Sequence, residues 1–300
     1  MTKNLTIICG PTASGKSALA VDLAKEHNGV VINADSMQVY NALPMLTAQP
    51  DPQDFASVPH RLYGVLEPEK KCSAREWCDL AVAEIERTWS NNQHPVIVGG
   101  TGLYIKALME GLSPIPDVPQ DIRTEGNNLQ KKLGNPGFHE MLQMLDPDMA
   151  SRLNPNDTQR LIRAWEVITA TGQSLAAWQN EPLQGPPSDW RFSVIIMTPE
   201  RTALHGRCNA RFDWMMENGA LQEVRDFCES LDSGAVPQDA PITHALGFHP
   251  LQDHLKGLLD QAKAIEKAKI ETRQYAKRQD TWFRHQIREK ENIDSIQHIP

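Results

Sequence analysis

At 300 residues, 40% hydrophobic and 23% charged, the chain is long enough for one main domain with a smaller companion and too apolar to be disordered over most of its length. No run approaches the roughly 18 apolar residues of a membrane helix, Leu5 to Cys9 is too short for a secretory leader, and five cysteines without a Cys-x-x-Cys pair indicate neither a disulfide framework nor a zinc ribbon. The net charge of -8 is uneven: Lys263 to Lys290 holds nine Lys or Arg against four acids, net +5, leaving -13 elsewhere, which fits a polyanionic partner or a solvated basic helix face.

Leu5-Thr-Ile-Ile-Cys9 is a β-branched apolar run, and Ser17 to Lys25 carries apolar residues at helical spacing, with glycines between the two. This predicts strand, loop and helix. Val30 to Asn33, Pro95 to Val98 and Phe192 to Met197 repeat the strand signal. Strands alternating with helices predict an α/β fold, a parallel sheet flanked by helices. Ligands of such sheets sit at the carboxyl ends of the strands, which directs attention to Gly10 to Ser17, Asp35, Thr101 and Thr198.

Between Pro114 and Pro187 the strand signal vanishes, and prolines crowd both ends of the segment (Pro114, Pro116 and Pro119; Pro182, Pro186 and Pro187). A mostly α-helical insertion subdomain over 116–187 is expected, set into a core of 1–115 and 188–300. Within it Asn154-Pro-Asn-Asp157 caps a helix with Leu161, Trp165 and Ile168 on its apolar side, ending near Gly172, so that Arg160 and Arg163 point largely away from that side. Leu258 to Arg288 reads as one long helix without internal Gly or Pro. Ten histidines form no His-Glu-x-x-His pair, and no metal cluster is expected from them.

Gly10-Pro11-Thr12-Ala13-Ser14-Gly15-Lys16-Ser17 fits G-x-x-x-x-G-K-[ST] between a strand and a helix. With glycine usage of about 7%, a chance match in such a chain is on the order of one per cent before that context is required. The glycines let backbone N–H groups turn inward around phosphate oxygens, the helix adds its positive end, Lys16 adds a charge, and Ser17 can ligate Mg²⁺. A kinase, an ATPase and a transferase with a diphosphate leaving group all need this cradle; a GTPase would also need an Asn-Lys-x-Asp motif, which is absent. Asp35 follows the second strand and faces the loop across the strand ends, as a general base or a group near Mg²⁺. Gly99-Gly-Thr101-Gly-Leu-Tyr104 brings a hydroxyl to the same edge, suited to donate to a phosphate or bridging oxygen.

Five ordered motifs now carry a likeness: Gly10 to Ser17; Asn33-Ala-Asp-Ser-Met-Gln-Val-Tyr40; Val98 to Tyr104; Pro155-Asn-Asp157 with Arg160 and Arg163; and Tyr275-Ala-Lys-Arg-Gln-Asp-Thr-Trp-Phe-Arg284. Through them the chain resembles the bacterial tRNA dimethylallyltransferases, the tRNA isopentenyl-diphosphate transferase family. The resemblance implies a P-loop NTPase-like core with a helical insertion; a cytoplasmic location is expected from the lack of a membrane run or leader, and a monomer is expected. The resemblance also implies transfer of a dimethylallyl group from dimethylallyl diphosphate, with Mg²⁺, to N6 of the adenosine immediately 3′ of the anticodon, in tRNAs reading codons that start with U.

Carried over by motif, Asp35 takes the N6 proton, Thr101 binds the bridging or leaving oxygen, and Lys16 with Ser17-bound Mg²⁺ holds the diphosphate. Arg207 and Arg211 add positive charge to the leaving group. The target adenine enters a channel between core and insertion. Asp35, Ser36, Met37, Gln38, Thr101, Arg123 and Gln159, Arg160, Leu161, Ile162 and Arg163 meet the RNA there, and Lys277, Arg278, Gln279 and Arg284 meet the anticodon stem. The chain departs from the commonest family pattern at Gln49, where a basic residue is usual, and at Thr243 to His249, where His244 and His249 replace it. Both changes bear on RNA affinity, the histidines through pH. A P-loop nucleoside or small-molecule kinase would explain neither the basic helix nor Tyr275 to Arg284, and a non-catalytic RNA-binding ATPase would leave Asp35 and Thr101 without a task.

Overall fold

The computed structural model describes residues 2–300. Two compact units emerge, one formed by the chain up to Met109 together with Pro186–Pro300, the other by Glu110–Gly185.

The first unit opens with β1 (Lys3–Cys9), α1 (Lys16–Glu26), β2 (Gly29–Asn33), α2 (Pro44–Thr47), α3 (Pro52–Ser57), β3 (His60–Arg61), α4 (Ala74–Ser90), β4 (His94–Gly99) and α5 (Gly102–Glu110). The second unit holds α6 (Gln120–Leu145), α7 (Pro147–Arg152), α8 (Thr158–Thr171) and α9 (Leu175–Asn180). The chain then returns with β5 (Trp190–Met197), α10 (Arg201–Glu217), α11 (Ala220–Asp232), a 3₁₀ turn at Pro241–His244, α12 (Phe248–Leu255), α13 (Gln261–Gln286) and β6 (Ile293–Ile299).

All six strands are parallel, in the order β3-β2-β4-β1-β5-β6. The apolar runs of β1, β2 and β4 are buried on both faces, as a sheet covered by helices on each side demands. Alternation decides which face each residue serves. Leu5, Ile7, Ile32 and Ile97 pack with Trp77 and Ile85 of α4, while Ile8, Val31, Val96 and Val98 pack with Ala20, Val21 and Ala24 of α1. The α4 start is fixed by a reciprocal capping box between Ser73 and Glu76.

β3 and β6 are strands that the apolar runs do not announce. β3 has two residues, and β6, Ile-Asp-Ser-Ile-Gln-His-Ile, is a half-exposed edge whose pattern is mixed. Thr198 serves this edge: its N–H and its hydroxyl both donate to the Ile299 carbonyl, at 2.6 and 3.3 Å. It closes the sheet and takes no part in the site described below.

The second unit begins at Glu110 and ends at Gly185, slightly displaced from 116 and 187, because Leu112 and Gln184 exchange both backbone hydrogen bonds at its neck. Its own core gathers Val118, Phe138, Leu142, Leu161 and Trp165. Asp157 caps α8 by accepting from the Arg160 N–H at 3.2 Å, and Gly172 ends it in the left-handed region, φ +69°. The long α6 is interrupted at Gly134, φ +65°, just ahead of Pro136, which has no N–H for the helical ladder. Among the described residues no helix is long and apolar enough to cross a membrane.

Candidate active site

Register brings the loops together. Cys9 pairs with both Gly99 and Ile196, and Asn33 pairs with Val98, so β1, β2 and β4 end level. The loops Gly10 to Gly15, Ala34 to Gln38 and Gly100 to Thr101 therefore leave one edge of the sheet, beside β1, where the strand order changes direction. The Ala34 N–H donates to Val98 O at 2.7 Å, and the Thr101 N–H donates to Ala34 O at 3.1 Å, which ties the second and third loops to each other.

The first loop has the backbone of an anion cradle. Ala13 holds φ +61°, an unfavourable value for a residue with a Cβ, and Gly15 holds φ +92° as the cap of α1. Such left-handed residues turn successive N–H groups to one side, and strain of this kind collects at binding sites. Lys16 Nζ folds back to Pro11 O at 3.1 Å. Two arginines of α10 brace the loop from behind: Arg211 donates to Thr12 Oγ1, and Arg207 donates to Ser14 O at 3.5 Å.

Electrostatics make the cradle cationic at the cost of desolvating it. Burial is the main reason that the Lys16 ammonium is pushed down to about 8; Asp35 opposes the shift and Arg211 adds to it. Burial also lowers Arg211, against the pull of Cys208 and Asp35. Two desolvated cations facing a single carboxylate leave unmatched positive charge, which a diphosphate would neutralise. Ser14 Oγ and Arg211 Nε are buried without a hydrogen-bond partner, two of only four such side-chain atoms among the described residues. Buried polar atoms are normally paired. Both belong to the residues of the cradle and its brace.

Asp35 acts electrostatically on the cradle and on three phenols. Its charge acts on Lys16 and Arg211, and it also helps raise Tyr63, Tyr104 and Tyr275, in each of which burial is the larger cause. Its Oδ1 accepts from the Met37 N–H at 2.9 Å, and its own N–H donates to Asn33 Oδ1 at 2.8 Å, so the loop is held by side chains rather than by helix or sheet. Thr101 Oγ1 accepts from the Ser36 N–H at 2.9 Å and donates to Ser36 Oγ at 3.2 Å, tying Thr101 to the Asp35 turn. Ser36 and Met37 remain partly exposed, whereas the Gln38 amide donates to Thr47 O and Ala48 O at 2.9 and 2.7 Å and braces the neighbouring loop. Gln49 donates to Tyr40 O at 2.8 Å and belongs to the same brace.

On α13, Lys277, Arg278 and Arg284 are exposed; Arg278 lies over the Tyr275 ring at 5.6 Å and Arg284 pairs with Asp280 at 2.9 Å. Lys277 and Arg278, with Trp282 and His285, border an open groove of about 550 Å³. His244 and His249 are both exposed, with ring centroids 6.5 Å apart.

A family model described as IPP transferase matches residues 38–286. The tRNA dimethylallyltransferase of Paramagnetospirillum magneticum is 54% identical over 94% of this chain and 88% of its own length, and that of Rhodospirillum centenum is 48% identical over 98% and 92%. The chain belongs to the IPP transferase family. Among solved structures, a eukaryotic dimethylallyltransferase acting on tRNA superposes with a TM-score of 0.80 at 28% identity, covering 94% of this chain and 70% of that one. The full-length tRNA isopentenylpyrophosphate transferase of Bacillus halodurans gives 0.66 at 33% identity over 99% and 90%. The P-loop NTPase-like fold expected from the motifs is that of these IPP transferases.

Two residues depart from the RNA-contact role their motifs implied. Gln279 is buried, with both ends of its amide engaged inside the first unit. Leu161 is fully buried in the core of the second unit, because the α8 stripe that carries Trp165 also carries Leu161. Its neighbours are better placed: Gln159 is exposed, Ile162 is partly so, Arg160 pairs with Asp157 at 3.3 Å and Arg163 with Glu166 at 3.4 Å. Arg123, at the start of α6, donates to Val118 O at 3.1 Å. Arg123 and Gln159 to Arg163 belong to the second unit; the phosphate cradle, Asp35 and Gln279 belong to the first.

The sequence reading overlooked Trp77 and Glu223. Trp77 stacks on Tyr104 at 4.7 Å and donates to Asn33 O at 2.9 Å, supporting the strand that presents Asp35. Glu223 accepts from the Met45 and Leu46 N–H groups at 2.8 Å each and caps α2. Neither has a local sequence signal, since the nearest of these partners, Tyr104, lies 27 positions from Trp77 and the others 44 or more away.

Proposed function

We propose that this chain transfers a dimethylallyl group from dimethylallyl diphosphate to N6 of the adenosine immediately 3′ of the anticodon, in tRNAs that read codons starting with U. The observation that carries the reading is the single carboxylate, Asp35, set against the desolvated Lys16–Arg211 pair at the strand ends of a member of this family. A bond forms between N6 and C1 of the donor while the C1–oxygen bond breaks. The electron pair leaves with the diphosphate, and the N6 proton passes to Asp35. N6 of adenine is a poor nucleophile, so stabilising the departing charge is the larger demand. Lys16, Arg211, Arg207 and the backbone amides of Ala13 to Ser17 meet it, and the Thr101 hydroxyl hydrogen, shared with Ser36, can turn to the leaving oxygen.

Mg²⁺ fits this donor set. No group of three or more His, Cys, Asp or Glu among the described residues could hold a metal, but Mg²⁺ characteristically takes one or two protein oxygens and completes its shell with phosphate and water. Ser17, exposed in the first turn of α1, would hold it beside the diphosphate, where it would neutralise leaving-group charge.

The acceptor adenine has to leave its stack to reach Asp35. The RNA surfaces we assign are Asp35 to Met37, Lys277, Arg278 and Arg284 on the first unit, and Arg123, Gln159, Arg160, Ile162 and Arg163 on the second. A single chain holds all of them, and a tRNA substrate is consistent with a cytoplasmic monomer. Kinase and ATPase readings are not favoured.

The deciding assay incubates the protein with Mg²⁺, radiolabelled dimethylallyl diphosphate and unmodified tRNA bearing adenosine after the anticodon. Label in that adenosine, lost when tRNA or Mg²⁺ is omitted, is the expected result; ATP turnover with no label in RNA would overturn the reading.

The basic helix gives a second expectation. Each phosphate neutralised by Lys or Arg contributes a slope of about 0.7 to 0.9 to log K against log[salt]. Replacing Lys277, Arg278 and Arg284 together by Ala is expected to weaken tRNA binding and to flatten that slope by about 2 to 3. A parent protein whose tRNA affinity ignores salt would remove α13 as an RNA surface.

A further inference from the structure

The amide of Gln279 sits between two loops that chemistry must keep in register. Its Oε1 accepts from the Thr12 N–H at 2.8 Å, and its Nε2 donates to Gly100 O at 2.9 Å. The residue is 5% exposed on a helix whose neighbouring positions, Lys277 and Arg278, are in solvent. The approach is so close that a Cβ on Gly100 would lie 2.2 Å from Gln279 Nε2, and one on Gly102 would lie 2.3 Å from the Trp282 ring. The basic helix therefore rests directly on the Gly99 to Gly102 loop. Thr12 is fixed twice, by Gln279 at its N–H and by Arg211 at its hydroxyl.

We propose that Gln279 is a positioning residue that sets the spacing between the diphosphate loop and the Thr101 loop, and fixes the RNA-facing helix to both. The inference rests on the phosphate loop holding a diphosphate, as proposed above. Only a side chain with an acceptor and a donor on one planar group can satisfy an amide N–H and a carbonyl at once, and Gln supplies both. A charged residue here would bury a charge, and an apolar one would leave Thr12 N–H and Gly100 O unpaired. The exposed cations beside it bind polyanion; Gln279 points the other way and holds the diphosphate site at working geometry.

The test separates the two faces of α13. Gln279→Met keeps the volume and removes both hydrogen bonds. Affinity for inorganic pyrophosphate with Mg²⁺, measured by calorimetry, is expected to fall about tenfold for the two bonds lost. kcat at saturating donor and tRNA should fall as well, while tRNA affinity stays within about twofold of the parent. The Lys277, Arg278 and Arg284 alanine variant should do the reverse, losing tRNA affinity and keeping pyrophosphate. Gly100→Ala, which drives a methyl against the same amide from the opposite side, should reproduce the Gln279→Met pattern and decides the matter if Gln279→Met fails to fold. Unchanged pyrophosphate affinity in both variants, or equal loss of pyrophosphate and tRNA, would overturn the assignment. Pyrophosphate binding needs no alkyl transfer, so a parent protein that binds it without labelling tRNA would defeat the proposed reaction and leave the role of Gln279 standing.

Discussion

Asp35→Asn is expected to leave tRNA binding almost unchanged, because Asp35 is one RNA contact among many, and to turn over more slowly by roughly 10² to 10⁴, the usual contribution of a general base. The substitution is clean for a structural reason. Asp35 holds its turn by accepting from the Met37 N–H through Oδ1, and Asn retains that acceptor. What Asn lacks is the negative charge and the capacity to take the N6 proton. It also leaves Lys16 and Arg211 without the carboxylate that offsets their burial, so the free protein should hold pyrophosphate at least as well as the parent. Single-turnover transfer of label, measured beside filter-binding of tRNA, checks both halves. Turnover near that of the parent would remove Asp35 from the base role, and a matching loss of tRNA affinity would make it a binding residue instead.

Lys16→Met is expected to lower kcat/KM for the donor by roughly 10² to 10³, the range for losing one preorganised charge-stabilising group. Its titration gives a signature that a packing role would not. Burial pushes Lys16 down to about 8, so its charge is present below that pH and lost above it. A bound diphosphate restores the charged form. Pyrophosphate binding at pH 9 should then take up a proton that binding at pH 6.5 does not, and affinity should decline as pH rises above about 8. Calorimetry in buffers of different ionisation enthalpy reads the uptake directly, and Lys16→Met should abolish it. Absence of uptake in the parent at pH 9 would sink this account of the cradle. In the ligand-free chain the sign is opposite. Unfolded, the lysine keeps its proton up to about 10.5, so between about 8 and that value the unfolded state binds more protons, and the contribution of this group to stability rises with pH.

Some of this was readable from short stretches, because the physics acts over short stretches. The apolar runs at β1, β2 and β4 report strands buried on both faces, the run at β5 a strand buried mainly on one, and Asp157 and Gly172 bound α8 by capping rules that involve only a few neighbours. The strand ends pointed to Asp35 and Thr101, and motif order supplied the family. Where a strand buries little, as β3 and β6 do, the run disappears and so does the signal.

Gln279 and Leu161 mark the limit. The motif grouped Gln279 with the cations around it, yet Ala268, Thr272, Ala276, Gln279 and Phe283 recur at three and four residues and form the buried stripe of α13. Helical phase alone could have set Gln279 apart from Lys277 and Arg278. Leu161 was already on the apolar side of α8 when its motif was read as RNA contact, and packing prevailed. Phase says that a side chain faces inward; it does not say what it meets there.

By itself the sequence determined the phosphate loop, the parallel α/β class and the family, since glycine, charge and hydrophobic period act locally and in order. Only the tertiary structure decided that Arg211 reaches Thr12 across 199 positions and Gln279 across 267, and that Trp77 supports the strand before Asp35. Such contacts depend on which strands lie side by side and how their ends align, and no local rule encodes that.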